Sequence, residues 1–273
     1  YHSCATSRAA VFGTSRKNGT GAMIVLVTGA TAGFGAAIAR RFAGDGARVV
    51  AAGRRIDQLA PLQADFGAAI YALALDIRDR AAVTAAIDAL PPDFAAIDLL
   101  VNNAGLALGL GPAYEAQLDD WDTMVDTNVK GLLYVTHAVL PGMVARNRGH
   151  IVNLGSTAAQ FPYPGGNVYG ATKAFVYQLS LNLRADLLGT AVRVTDVEPG
   201  LVGGTDFSTI RFKGDRAKAD ALYEGTTPLS PEDIADTVHW VATRPAHVNI
   251  NSVQLMPVCQ AFAPLAVKRT APT

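Results

Sequence analysis

An aliphatic run, 24–28, ends in Gly29-Ala-Thr-Ala-Gly33-Phe-Gly35, and a helical pattern begins directly after it. A glycine-spaced turn between a strand and a helix leaves few folds open. Glycines let the backbone bend tightly and approach a ligand closely, and the free N–H groups of the following helix attract a pyrophosphate. In this context a Gly-x-x-x-Gly-x-Gly spacing is a dinucleotide-binding fingerprint rather than a mere packing turn. It sets Gly29, Ala30, Thr31, Gly33, Phe34 and Gly35 at the cofactor phosphates.

From Met23 onward, short β-branched or aliphatic runs alternate with longer helical patterns, the mark of βαβ units around a parallel sheet. Strands are expected at 24–28, 48–52, 70–75, 99–102, 150–154, 192–197 and 253–256. Helices are expected near 34–44, 56–66, 79–89, 121–146, 168–188 and 231–243, the last opening on Ser230-Pro-Glu-Asp233 with Ser230 as its cap. Right-handed crossovers then give an α/β fold: a Rossmann-type, doubly wound parallel sheet of seven strands, order 3-2-1-4-5-6-7, with helices on both faces. A chain of 273 residues, half of them hydrophobic, suffices for one such catalytic domain. Residues 1–22 are rich in Ser and Thr, basic and free of acids, and read as leader or non-native sequence outside that domain. Residues 201–227 break the rhythm, carrying Phe207, Ile210 and Phe212 among balanced charges, which suits a small substrate lobe or lid.

The 23 basic and 23 acidic side chains cancel, so nothing in the charge balance attracts nucleic acid or anionic lipid, and a small molecule is the expected partner. Cys4 and Cys259 offer neither a disulfide framework nor metal-ligand spacing. His137, His150, His239 and His247 are scattered and read as core or surface residues, so no metal is expected. The cysteine usage fits a reducing compartment, hence a cytoplasmic location. Residues 18–39 carry no charge over a membrane-spanning length, but their glycines make them strand, turn and helix instead.

The end of the second strand decides which dinucleotide is bound. NAD sites commonly set an acid there for the ribose 2′-hydroxyl, and that acid would repel a 2′-phosphate. This chain has Gly53-Arg54-Arg55, and its nearest acid, Asp57, falls in the following helix. Cations at a helix start oppose the helix dipole, and a phosphate accounts for them. NADP is therefore the expected cofactor, with Arg54 and Arg55 on its phosphate.

Tyr169 and Lys173 stand four apart in a helical segment, on one face about a turn apart. Ser156 follows the fifth strand, at the carboxyl edge where open α/β sheets bind ligands. These three side chains converge on one substrate oxygen. A Lys ammonium ~5 Å from a phenol, at an effective dielectric of ~20, is worth on the order of 3 kcal/mol, so Lys173 is expected to lower Tyr169 by ~2 pKa units. Alone, Tyr-x-x-x-Lys is an ordinary amphipathic pair; the glycine turn and Ser156 thirteen residues upstream change that reading.

Over residues 23–257 the chain resembles the short-chain dehydrogenase/reductase family. The resemblance rests on the Thr28 to Gly35 turn, Asn102-Asn-Ala-Gly105, Asn128, Ser156, Tyr169, Lys173 and Pro199-Gly200. Within the family, Ala52-Gly-Arg-Arg55, Asn167-Val-Tyr-Gly-Ala-Thr-Lys173, Glu198-Pro-Gly-Leu-Val-Gly-Gly-Thr205, Pro245-Ala-His-Val-Asn-Ile-Asn251 and Met256-Pro-Val258 look most like the NADP-dependent 3-hydroxy acid dehydrogenases, also described as L-allo-threonine or serine dehydrogenases. The resemblance implies that Ser156 bonds the reacting oxygen, Tyr169 exchanges its proton, Lys173 binds the nicotinamide ribose, and Asn128 holds a proton-relaying water. It also implies cofactor contacts from Asp76, the Ile77 backbone, Asn103, Pro199, Gly200, Val202 and Thr205. One departure stands out: the family's Thr five positions after the Pro is Gly204 here, with Thr205 one step later. A homotetramer is implied as well, with the long fourth and fifth helices and the tail from Val253 as interface candidates.

Two enzyme readings stay open on the same catalytic residues. One is oxidation of a small 3-hydroxy acid of the serine, allo-threonine or 3-hydroxypropionate type, or reduction of its 3-oxo partner. The other is NADPH-dependent reduction of 3-oxoacyl thioesters or general carbonyls. A dinucleotide-binding regulator without chemistry is disfavoured, because Asn128, Ser156, Tyr169 and Lys173 are all present. A carboxylate-bearing substrate calls for a cation, with Arg211, between Ile210 and Phe212, the first choice and Lys213 the second. The competing reading of this stretch is a solvated charged face.

Overall fold

A computed structural model of the chain describes residues 21–262. Residues 1–20 of the leader expected at 1–22 therefore lie outside the described residues, as does Cys4. The strands are β1 (Ile24–Thr28), β2 (Arg48–Gly53), β3 (Ile70–Ala74), β4 (Leu99–Asn102), β5 (Gly149–Leu154), β6 (Val192–Pro199) and β7 (Ser252–Leu255). They form one sheet in the order β3-β2-β1-β4-β5-β6-β7, every pairing parallel. The helices are α1 (Gly33–Gly44), α2 (Ala60–Phe66), α3 (Arg80–Asp88), α4 (Pro92–Ala95), α5 (Leu118–Val125), α6 (Leu132–Ala145), α7 (Asn167–Asp186), α8 (Phe207–Arg211), α9 (Arg216–Ala221) and α10 (Pro231–Ala242).

A parallel sheet covered on both faces needs strands that are apolar on both faces, and β1 is buried at all five positions. Its alternate residues serve different cores. Val25 and Val27 pack with Ile38 and Phe42 of α1 and Val238 and Val241 of α10. Leu26 packs on the other side with Val135 and Val139 of α6, Leu187 just past the end of α7 and Val192 at the start of β6. The layers are thus helix, sheet, helix, with the carboxyl ends of the strands left open between them.

Helix boundaries follow local chemistry. At α10, Ser230 Oγ accepts from the Asp233 N–H at 3.2 Å and the Asp233 carboxylate accepts from the Ser230 N–H at 2.8 Å, a reciprocal cap. The helix expected at 56–66 begins with a tighter turn, Ile56–Leu59, before α2. The helix expected at 121–146 starts earlier, at Leu118, and is interrupted by one wider turn, Asp126–Gly131, between α5 and α6. At Gly131 a Cβ would stand 2.6 Å from Ile77 Cδ1, so the backbone presses on the loop after β3 there. The stretch 201–227 is partly helical, in α8 and α9, where no helix was expected.

Candidate active site

The glycine turn lies at the carboxyl end of β1. Gly29 and Gly33 have positive φ of 67° and 53°, a region that L side chains rarely adopt. A Cβ on Gly35 would overlap the Gly29 carbonyl oxygen, so α1 can start this close to the strand only with glycine. Thr28 and Asn103 hold the turn from below. The Thr28 hydroxyl accepts from the Asn103 and Ala104 N–H groups at 3.0 Å, and Asn103 Nδ2 donates to the Thr28 and Gly29 carbonyls at 2.8 and 3.2 Å. No side chain caps α1, whose first-turn N–H groups are thus left to a ligand.

Gly29, Thr31, Gly33, Phe34, Arg54, Arg55, Asp76, Ile77, Asn103, Tyr169, Lys173 and Thr205 line one continuous cleft. Ala30 and Gly35, expected at the phosphates, stand behind that lining. Ala30 is buried and its N–H donates to the Ala52 carbonyl at 3.0 Å, which takes it away from a ligand. Pro199, Gly200 and Val202 are also behind the lining, because their segment is tied to its neighbours: the Gly200 N–H bonds the Leu255 carbonyl at 2.8 Å and Val202 bridges to Leu229. Arg78 joins the lining without having been anticipated. It grips Asp76, with Nε 3.0 Å from Oδ1 and Nη2 2.6 Å from Oδ2, and this hydrogen bonding holds the Asp76 carboxyl below its usual range, with the charge of Arg54 helping. The cleft therefore has three arginines at one end and an open helix N-terminus in the middle, a donor set that fits a phosphorylated dinucleotide.

At the other end stand Tyr169 and Lys173, both buried, one turn apart in α7. Lys173 Nζ donates to the Leu154 carbonyl at 2.7 Å and lies 5.8 Å from the centre of the Tyr169 ring. The Ser156 hydroxyl, also buried, accepts from the Ala158 N–H at 3.1 Å. The wider turn Asp126–Gly131 brings Asn128 inside, where Oδ1 accepts from the Leu106 N–H at 2.9 Å and Nδ2 donates to the Leu106 carbonyl and the Thr172 hydroxyl. A Cβ on Gly105 would be 3.2 Å from Asn128 Oδ1 and 3.6 Å from Lys173 Nζ, so these two side chains flank that glycine.

The electrostatics differ from the expectation. Burial pushes the Tyr169 phenol up to about 12, with Ser156 and Arg211 pulling the other way. Lys173 is pulled down to about 8, again by burial. The Lys173 charge favours the phenolate, but removing Tyr169 from water opposes it, and in the protein alone burial dominates.

Over this end lies α8. Phe207 packs its edge on the Tyr169 ring at 5.8 Å, and Arg211 stacks 5.7 Å from the Tyr169 ring and 5.5 Å from that of Tyr163. Arg211 is buried; Nε donates to the Gly109 carbonyl and Nη2 to the Tyr163 hydroxyl, each at 2.9 Å, while the Gly109 N–H returns a bond to the Arg211 carbonyl. Lys213, the second choice for a substrate cation, instead pairs with Asp120 at 2.8 Å.

This arrangement has counterparts among known proteins. The sequence profile of the short chain dehydrogenases matches residues 23–215. The chain belongs to that family. It is 64% identical over 248 residues, 91% of this chain and 100% of the relative, to the NADP-dependent 3-hydroxy acid dehydrogenase YdfG of Salmonella typhi. It is 52% identical over 245 residues, 90% of this chain and 98% of the relative, to the serine 3-dehydrogenase of Rhizobium radiobacter. Among solved structures, the closed form of a serine dehydrogenase complexed with NADP+ superimposes with a TM-score of 0.90 at 61% identity, covering 91% of this chain and 100% of the other.

In this short-chain dehydrogenase two side chains pack with Tyr169 in a way that the sequence pattern does not mark. Tyr163 lies in a loop with no periodic pattern to mark it, and Phe207 was seen only as part of an apolar lid. Among the described residues no cluster of three or more potential metal ligands occurs, and no helix is long and apolar enough to cross a membrane.

Proposed function

We propose that this NADP-dependent dehydrogenase oxidises small 3-hydroxy acids of the serine, allo-threonine or 3-hydroxypropionate type, or reduces the matching 3-oxo acids. The observation that carries the substrate class is Arg211: a buried guanidinium beside Tyr169 with no acidic partner among the described residues. Burying a charge is costly unless it is paired. A substrate carboxylate supplies the missing partner, and the planar guanidinium fork, with Nη1 uncommitted, suits it. The names of the relatives at 64% and 52% identity point to the same chemistry.

Each residue then has a task. Bound in the cleft, NADP(H) supplies or accepts the hydride. Gly29, Thr31, Gly33 and Phe34 form its phosphate cradle, and Arg54 and Arg55 hold the 2′-phosphate. Ser156 donates to the substrate oxygen and fixes its position. Tyr169, protonated at neutral pH with its phenol near 12, gives a proton to the oxygen in the reductive direction. In the oxidative direction it must act as a base, and the Lys173 ammonium, a turn away, stabilises the phenolate. Asn128 holds the Leu106 and Thr172 backbone and hydroxyl groups in place around Lys173. Residues 201–227 serve as the substrate lobe, with Phe207 and Arg211 shielding the reaction from water.

Substitution of Arg211 by Ala tests the substrate class. Removing one partner of a buried charge pair costs about 2–5 kcal/mol, ~30-fold or more in kcat/KM for a 3-hydroxy acid, and far less for a neutral alcohol of the same size. An equal loss on both substrates would remove the carboxylate role.

A further inference from the structure

Beneath Lys173 a row of polar side chains crosses the sheet. Asn102, Asn153, Asp196 and Ser252 are successive register partners on β4, β5, β6 and β7. The two asparagines are bonded: Asn102 Nδ2 donates to Asn153 Oδ1 at 2.9 Å and Asn153 Nδ2 to the Ser180 hydroxyl at 2.8 Å. Asp196 is different. It is 0% exposed and neither carboxyl oxygen has a hydrogen-bond partner. Glu198, two residues on and on the same face of β6, is equally buried. Its Oε2 accepts from Gln160 Nε2 at 2.6 Å and Gln254 Nε2 at 3.1 Å, while Oε1 has no partner.

Two carboxyl groups two residues apart on one face of a buried strand do not both ionise readily, so one of the pair keeps its proton. The anion resides on Glu198, which has two amide donors to stabilise it, and the proton on Asp196, which has none. Burial first, and then the Glu198 charge, push Asp196 up to about 8 against the pull of Lys173. The carboxyl of Asp196 also lies hard against Gly155, where a Cβ would be 2.6 Å from Oδ1. Gly155 follows Leu154, whose carbonyl receives Lys173 Nζ. Lys173 is itself drawn down by burial, and the one charge that opposes this is Asp196.

We propose that Asp196 is a positioning residue for proton transfer: wedged between Glu198 and Gly155 below the Leu154 carbonyl, it sets the charge of Lys173 and thereby the pH range in which Tyr169 works. The inference rests on the reading of Tyr169 and Lys173 as the proton-transfer pair. The groups facing Asp196 are Glu198 on β6 and Lys173 on α7; β5 presents Asn153 and Gly155 and β7 presents Ser252, none of which titrates. Tyr163 and Arg211 act instead on Tyr169, Arg211 lying 5.7 Å from its ring.

The sign follows. An ionised Asp196 favours the ammonium form of Lys173. Asp196→Asn removes that charge, so Lys173 loses its proton at lower pH and the alkaline limb of NADPH-dependent carbonyl reduction moves down. Glu198→Gln relieves the repulsion on Asp196, which then ionises at lower pH and holds the Lys173 ammonium to higher pH, so the limb moves up. The experiment is the kcat profile from pH 6 to 10 for both variants on one 3-oxo acid and one neutral ketone. The expected result is a pair of opposite displacements of about one pH unit, ~tenfold in rate at a fixed pH on the limb, with rates near wild type at pH 6. Limbs that stay in place, or move together, overturn the proposal, since a loosened core lowers the rate at every pH. Should Asp196→Asn fail to fold, Glu198→Gln decides alone: a limb displaced upward supports the role and one unmoved or displaced downward refutes it. A Tyr169→Phe enzyme that stays active removes the underlying reading instead, and the two failures are thereby told apart.

Discussion

Replacing Arg54 and Arg55 together by Ala isolates the cofactor preference. Both side chains stand at the exposed rim of the cleft where β2 ends, and under the proposed function they face the 2′-phosphate of NADPH, where NADH offers only a neutral hydroxyl. A hydrogen bond to a charged group is worth about 1.5–3 kcal/mol when formed well, and solvent at an exposed rim reduces this to about 1–1.5 kcal/mol each. The double variant should lose about 2–3 kcal/mol with NADPH, ~30- to 150-fold in kcat/KM, and stay within about threefold with NADH. Arg78, gripped by Asp76, remains as a third cation and keeps some residual preference. Added salt should shrink the wild-type ratio, because exposed charge contacts are screened, and leave that of the variant nearly flat. The assay is the ratio of the two efficiencies at low and high salt. A ratio unchanged by the double substitution, or an equal loss with both cofactors, refutes the electrostatic reading of this segment. The converse design, an acid at position 53, meets a steric barrier: a Cβ there would lie 2.5 Å from Thr31 Cγ2, so the lining must shift before a carboxylate is accommodated.

Other substitutions read other parts of the site. Tyr169→Phe should lower kcat by ~100- to 10,000-fold while cofactor fluorescence titrations stay close to wild type, since only the proton-transfer group is lost; more than a tenth of wild-type turnover would contradict the assignment. Lys173→Met should weaken both turnover and cofactor binding, because Nζ is an ammonium in the cleft lining as well as the neighbour of Tyr169. Gly35→Ala sets a methyl against the Gly29 carbonyl, a backbone clash that no rotamer relieves; overpacking of this kind costs about 1–3 kcal/mol, and a melting temperature and NADPH affinity equal to wild type would show that the turn has slack.

The strands were legible because a parallel sheet buried on both faces writes itself as aliphatic runs: β1 and β4 fall where the sequence marks them, β7 is displaced by one residue, and the others differ by a residue or two at one end. The wider turn Asp126–Gly131 left no such trace. An extra residue in one helical turn changes no hydrophobic pattern enough to be noticed, although it is what carries Asn128 inward. The short helices α8 and α9 fail for the opposite reason, since five or six residues are too few to display a period. Arg211 was distinguishable from Lys213 only in three dimensions, where Asp120 claims the lysine and the tyrosine rings enclose the arginine. For Tyr169, sequence spacing locates the partner charge but carries no measure of burial, and burial sets the direction of its shift.

The three groups at the reacting end share one property that ties the parts together. Tyr169 is held as the neutral phenol, Lys173 is drawn toward the neutral amine, and Arg211 is buried without an acid. The two cations are costly in the protein alone, and that cost falls when negative charge enters beside them: a carboxylate against Arg211, and an oxyanion forming by Lys173, Tyr169 and Ser156. Preorganised donors in a dry site require no rearrangement as charge develops, and that is where electrostatic catalysis is strongest. Stability surrendered in folding the site is then recovered in binding and in the transition state, so variants that neutralise Arg211 or Lys173 should melt higher than wild type while turning over more slowly. Thermal melts of Arg211→Met and Lys173→Met, without cofactor or substrate, test this directly. Melting temperatures below that of wild type in both would mean that these cations hold the fold together and that their burial carries no stored cost.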